Sequence, residues 1–320
     1  MDSRFSADLW RRRVQVALGN EPADLLLAGG QVTDVFGERL FAADVAIVDG
    51  SIAGVGAYDQ AHDRFDCSGL IIAPAFIDGH IHTESSLLWV AEFARAVALH
   101  GTGSVVTDPH EIANVAGLPG LTAFREAARG LPVDINVTAP SCVPASPRET
   151  PGAAFTPEDI ADMLAWPECV GLGELMNFPG VLAGDGRIAE ELAVIDGLAI
   201  DGHAPGLIGA QLQAYIGSGP GSDHESTTLG EAAEKLRSGM MVMIRQGSSA
   251  RNLPALLPLI TDATAARICF CCDDRDAHDL LARGHMDAIL REAIDLGLDP
   301  LRAIRLATWN PANYWRLPRV

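Results

Sequence analysis

"PAFIDGHIHTE", residues 74–84, is an apolar run that breaks into His80, His82 and Glu84. With nine histidines in 320 residues, roughly 0.25 His-x-His pairs are expected by chance, so the context must carry the reading. In a strand, alternate side chains share a face, which would aim His80, His82 and Glu84 into one pocket at the strand's end. From this point on, apolar strand-like runs alternate with helical stretches, the pattern of βα units around a parallel sheet. The runs close in polar residues at GHIHTE, TDPHE, APSC, GLGELMN, DGHAPG, SDHES, MIRQGS and CCDD. Markers at His80, Asp108, Ser141, Glu174, His203, His224, Arg245 and Asp273 lie 21 to 33 residues apart. Eight such repeats predict an α/β fold, a TIM-type (β/α)8 barrel over residues 74–320, with its site at the C-terminal ends of the strands. A last helix is expected over about residues 284–297, with Met286, Ile289, Leu290, Ala293 and Ile294 on one face.

Upstream the pattern differs. Residues 5–19 suggest a short amphipathic helix, and residues 23–73 contain short β-like runs at 25–27, 31–34, 45–48, 52–55 and 70–73. Gly29-Gly30, Asp49-Gly50 and Gly54 punctuate them as turns would. Residues 1–73 therefore read as a helix and a small β unit ahead of the barrel.

A formal charge of −19 disfavours binding to a phosphate backbone, which needs clustered Lys and Arg. The short basic run Arg11-Arg12-Arg13 reads as a solvated helix face. The sequence has no uncharged apolar stretch of membrane-spanning length, and "MDSRFSADLW" lacks the apolar core of a signal peptide. Cys269, Cys271 and Cys272 share one apolar run and read as buried thiols, which fits a reducing cytoplasm.

The chemistry gathers at the run ends. His203 and His224 close the fifth and sixth runs, Glu174 the fourth, and Asp273-Asp274 the eighth. Imidazoles with carboxylates are ligands for Zn, Fe or Mn. Some binuclear barrel hydrolases bridge their metals with a carboxylated lysine, but the single lysine here, Lys235, reads as part of a helix. Glu174 is the best-placed carboxylate for a bridge. Asp273 can serve as ligand and as the base toward a metal-activated water, with Asp274 the second choice. Glu84, His110, Glu111 and Arg245 line the same rim and are candidates for substrate contact, Glu84 also for proton transfer. His62, His100, His278 and His285 read as surface or helix residues.

From "PAFIDGHIHTESSLL", "TDPHEIANV", "APSCVPA", "GLGELMNFPGV", "DGHAPGL", "SDHES", "MIRQGSSARNL" and "ATWNPANYWRL" the chain resembles the adenine deaminases of the metal-dependent amidohydrolase superfamily. The resemblance runs from about residue 24 to 317. It implies hydrolysis of adenine to hypoxanthine and ammonia at two divalent metal ions, manganese or iron favoured and zinc possible. It implies ligand roles for His80, His82, Glu174, His203, His224 and Asp273, the set that spacing also reaches. The expected partner is a small purine base, with no nucleic acid or membrane, and a homo-oligomer is compatible. Two other readings use the same residues: a truncated, non-catalytic barrel, and a hydrolase opening a cyclic amide or amidine. The chain departs from the family's pattern at Cys272, where threonine is usual, and at Gln246, where glutamate is usual and a change could reach the pocket. The family also continues beyond "NPANYWRL" into strands that complete the small β unit. The sequence stops at Val320, so an unpaired strand edge and self-association are expected.

Overall fold

In the computed structural model, which describes residues 6–146 and 148–317, the Ser6 hydroxyl accepts the Leu9 N–H at 3.1 Å. That cap starts a helix over Ala7–Ala17. Five strands follow: β1 (Ala23–Asp34), β2 (Arg39–Val48), β3 (Ser51–Gly56), β4 (Ala61–Asp66) and β5 (Ile71–Ile72). Their order is β3-β2-β1-β4, with β5 also on β1. β2 runs antiparallel to β1 and β3, while β4 and β5 run parallel to β1. The two runs at 25–27 and 31–34 are one strand, because a register shift between Leu27 and Gly30 takes up the glycine pair. β4, "AHDRFD", was not expected. It has no apolar alternation and is mostly exposed, so its place rests on backbone pairing to β1, from Ala23↔Ala61 to Ala28↔Asp66. Val16, Leu26, Ala46 and Val48 form this unit's core. Among the described residues β3 and β4 each pair on one side only.

Contacts divide the chain into Met1–Pro74 and Ala75–Val320. The second unit holds β6 (Phe76–His82), β7 (Thr102–Thr107), β8 (Asp134–Ala139), β9 (Cys169–Leu175), β10 (Ala199–Gly202), β11 (Ser222–Asp223), β12 (Met241–Arg245), β13 (Ile268–Cys271) and β14 (Asp273–Asp274). One parallel sheet has the order β10-β9-β8-β7-β6-β14 and a second the order β11-β12-β13. β13 and β14 are one run split at Cys272, which joins the two sheets on one side. On the other, Gly221 N–H donates to the Ile200 carbonyl at 3.0 Å. The sheet thus curls through eight strand positions, those of the eight runs read from the sequence, as a TIM-type α/β barrel.

Two apolar layers hold it. Inside lie Val106, Val170, Met241, Met243, Cys269, Cys271 and Trp315. Outside, between sheet and helices, Phe93, Val97, Phe124, Ile160, Leu172 and Phe270 are almost fully buried. Both faces of the strands are covered, which is why β9 is buried along its whole length. The helix expected near 284–297 spans Met286–Asp295, with Met286, Ile289, Leu290 and Ala293 buried. It is not the last helix. Pro300–Leu306 and Trp309–Trp315 follow, too short to show a period in the sequence. The Trp309–Trp315 helix carries Trp315 into the inner layer.

Candidate metal centre

β6 ends at His82, and Glu84 lies beyond it in a 3-10 turn over Thr83–Ser86. Strand alternation therefore places His80 and His82 but not Glu84, a correction to the sequence reading. The imidazoles are set by acceptors behind them. His80 Nδ1 lies 2.7 Å from Asp201 Oδ2, and His82 Nδ1 lies 2.8 Å from the Asp108 carbonyl. With Nδ1 donating, Nε2 faces inward and, in the neutral ring, carries the lone pair. The two Nε2 atoms approach to 3.2 Å.

Glu174, at the end of β9, divides its oxygens. Oε1 faces His82 Nε2 at 2.8 Å and His80 Nε2 at 3.5 Å. Oε2 faces His203 Nδ1 in a very short contact and His224 Nε2 at 3.4 Å. Asp273 Oδ1 completes the first set, 3.1 Å from His82 and 3.6 Å from His80. The six expected ligands thus form two groups that share Glu174: His80, His82, Glu174 and Asp273 in one, Glu174, His203 and His224 in the other. Gly173 makes room for this, because a Cβ there would sit 2.4 Å from Asp108 Oδ2, the oxygen that accepts the Glu174 N–H at 2.8 Å.

The donor set fits divalent cations. Buried Glu174 Oε1 and both ring nitrogens of His224 lack a hydrogen-bond partner, and imidazole plus carboxylate is borderline-to-hard ligation. The same groups call for positive charge. Burial alone would lower the His80 and His82 pKa values, but Asp201 and Glu174 respectively outweigh it and hold both well above the usual range. Burial would raise Glu174, yet the His82 charge and bonds from His203 and His224 keep it well below.

Asp273 sits at φ 60°, a left-handed conformation rare for a residue with a Cβ. Its Oδ2 accepts from Arg245 Nη1 at 2.7 Å, and Arg245 is held in turn by Glu225. Burial would raise the Asp273 carboxyl, but bonds from His80 and His82 drive it far down. Asp274 turns away, its Oδ2 3.4 Å from the Ser249 hydroxyl. Glu84 accepts the Ile112 N–H at 3.3 Å and the Thr83 hydroxyl at 3.2 Å. Burial, then the charge of Glu111, pushes it up to about 7. His110 packs its ring 4.4 Å from that of His82, and Glu111 Oε2 lies 3.8 Å from His82 Nδ1. His110, Glu111 and Arg245 thus border the cage, and Glu84 is held beside them by Thr83 and Ile112.

The histidines set aside from the site do not share one environment. His62 and His278 are exposed, and His100 lies 3.2 Å from Asp287 Oδ2. His285, expected at the surface or on a helix, is fully buried as the cap of the Met286–Asp295 helix, with Nε2 3.1 Å from Asp78 Oδ2 and Nδ1 2.8 Å from the Thr102 hydroxyl. Lys235 lies in a helix, Leu229–Arg237. It stands outside the cage, binding Asp223 Oδ2 at 2.9 Å and Glu231 Oε1 at 2.8 Å. Gln246 does not reach the pocket. Its amide donates to Glu292 at 2.9 Å and accepts from Leu253 N–H at 3.1 Å, where a second carboxylate would face Glu292. Cys272 lies with Asp78 and His285, away from the cage.

Sequence reasoning missed Asp201 and Glu225 as partners of the ligands. One signal for Asp201 existed. Ile-Asp-Gly-His occurs at 77–80 and again at 200–203, with Asp78 turned to His285 and Asp201 to His80.

A curled parallel barrel with a carboxylate shared between two histidine groups is an arrangement that could hold divalent metal. Residues 71–320 match the amidohydrolase family, and the chain belongs to it. It is 49% identical over 304 residues to an adenine deaminase of Dehalococcoides mccartyi strain CBDB1, covering 95% of this chain and 53% of that one. An adenine deaminase of Desulfatibacillum aliphaticivorans is 46% identical over 306 residues, at 95% and 54%. The chain spans about half the length of these curated relatives. The beta-aspartyl dipeptidase of Fervidobacterium islandicum AW-1 superposes with a TM-score of 0.63 at 15% identity, covering 92% of this chain and 88% of that one, a likeness of fold. Among the described residues no helix is long and apolar enough to cross a membrane.

Proposed function

We propose that the chain hydrolyses adenine to hypoxanthine and ammonia. The observation that carries the reading is Glu174, whose two oxygens face separate histidine groups, with Asp273 in one of them. The choice of adenine rests on the relatives, which carry that name across 95% of this chain.

His80, His82, Glu174 and Asp273 would hold one divalent ion, and His203, His224 and Glu174 a second, manganese or iron being favoured and zinc possible. Bound there, the ions supply Lewis acidity, lowering the pKa of a water toward 7. Asp273 takes up the water's proton. Arg245 fixes its carboxylate by holding Oδ2, which leaves Oδ1 turned to the cage. Glu84, at about 7, is protonated in part at neutral pH and hands a proton to the purine or the departing amine. Two carboxylates driven apart in this way suit an acid and a base in one site. His110, Glu111 and Arg245 border the space for the base. Buried, unpaired thiols support a reducing, cytoplasmic location, and the charge of −19 argues against polyanionic substrates.

The test is purified protein loaded with Mn(II) or Fe(II), given adenine, with ammonia and hypoxanthine followed together. Equimolar release is expected. Two bound ions without ammonia release would refute adenine as the substrate and leave the non-catalytic barrel and the cyclic amide or amidine hydrolase as the remaining readings.

A further inference from the structure

We propose that Asp201, Ser222 and Tyr314 form a positioning relay through which the Trp309–Trp315 helix sets the tautomer and orientation of His80. The proposal rests on the metal reading of the cage for its consequence, though not for its geometry.

Asp201 lies in β10 and Ser222 begins β11. Both are fully buried, and His80 is nearly so. Asp201 Oδ2 meets His80 Nδ1 at 2.7 Å. Its other oxygen, Oδ1, accepts the Gly202 N–H at 3.0 Å and a very short bond from the Ser222 hydroxyl. A hydroxyl that has given its proton to Asp201 is left as an acceptor. Tyr314 supplies a donor to it, its own hydroxyl giving a hydrogen bond to Ser222 Oγ at 2.8 Å. The next residue on the same helix, Trp315, donates from Nε1 to the Gly79 carbonyl at 2.8 Å, one residue before His80. Helix and ligand are therefore tied twice, once through side chains and once through the backbone.

A buried carboxylate is costly unless donors satisfy it. Here the donors on Oδ1 also orient it, so that Oδ2 stays aimed at the imidazole. A carboxylate on Nδ1 selects the tautomer with Nε2 free and raises the basicity of that nitrogen. His80 Nε2 is the atom that points at Glu174 and Asp273. Removing the Tyr314 hydroxyl frees Ser222 to rotate, removing Ser222 leaves Oδ1 only the Gly202 N–H, and Asp201→Asn replaces a charged acceptor with a weaker neutral one. The effects on His80 should grow in that order.

Three variants, Tyr314→Phe, Ser222→Ala and Asp201→Asn, test this in the full chain, with thermal unfolding as a control for folding. One readout needs no metal: a long-range 1H–15N spectrum of histidine-labelled protein, in which His80 should show Nδ1 protonated. The second is Mn(II) affinity from EPR titration. Expected are a graded shift of the His80 nitrogens, with His203 unmoved, and an Mn(II) affinity about 10–100-fold weaker in Asp201→Asn, the usual scale for such a partner. Tyr314→Phe is the decisive variant, since its hydroxyl touches neither His80 nor the cage and it has the mildest effect on packing. His80 resonances identical to the parent's in Tyr314→Phe would overturn the relay, whatever Asp201→Asn does. A parent that binds no Mn(II) but shows the graded shifts would overturn the metal reading and leave the relay standing.

Discussion

Asp273 combines two demands that few residues meet together. Its backbone is left-handed at φ 60°, and its carboxylate divides between the histidines and Arg245. Asp273→Asn keeps the shape and removes the charge. If Asp273 is the base, turnover should fall more than about a hundredfold, measured as ammonia release with the metal content of the variant checked beside it. Lys235 is the contrasting case, a charged residue that matters for stability. It is fully buried against Asp223, the residue before His224, so Lys235→Met leaves a carboxylate without its counter-ion. Breaking such a pair costs about 3–5 kcal/mol, and the urea unfolding midpoint should drop accordingly. At this scale the six candidate ligands, which the fold gathers into one cage, were legible because each closes an apolar run. Asp201 was not, because its role depends on which way one side chain turns. Glu84 was placed at the rim by strand alternation, although the strand has already ended.

Along the barrel, strands are held at the spacing their glycines permit. Gly202 is the tightest such point, since a Cβ there would stand 2.1 Å from the Ser222 carbonyl oxygen. Backbone cannot yield as a flexible side chain can, so Gly202→Ala should force β10 from β11 and destabilise by about 1–3 kcal/mol. Gly217, at the end of the helix Gly209–Gly217, has open space around it. Gly217→Ala should be neutral or stabilising by up to about 1 kcal/mol, and the two variants compared by thermal unfolding separate crowding from propensity. The elements themselves were largely legible. Eight polar run ends gave eight strand positions, even where β11 is only Ser222–Asp223. What escaped was structure without a hydrophobic period: β4, made by backbone pairing, and the two short helices after residue 299.

For the molecule as a whole, a cage that gathers buried acids and imidazoles should be steadier with cations in it. Stripping the protein with a chelator and returning Mn(II) should lower and then restore the melting temperature, with about two ions taken up per chain. Free ion at a hundred times its Kd contributes about 2.7 kcal/mol for a single site, a shift that calorimetry resolves. Glu174→Gln should weaken both sites at once, because its two oxygens face different histidine groups. Loss of one ion with full retention of the other would show that the carboxylate is not shared.

The cysteines have a use as chemical clocks. All six are free and buried, and burial raises the thiols of Cys142 and Cys169 to about 11 and about 12. A thiol reagent needs the thiolate, so in the native protein it must wait for the chain to open. Cys67 lies in the first unit and the other five in the second. Labelling followed by mass spectrometry would therefore time each unit's opening separately in one sample. One modification preceding the other five marks the β unit as the first to open, and six arriving together mark a single cooperative event.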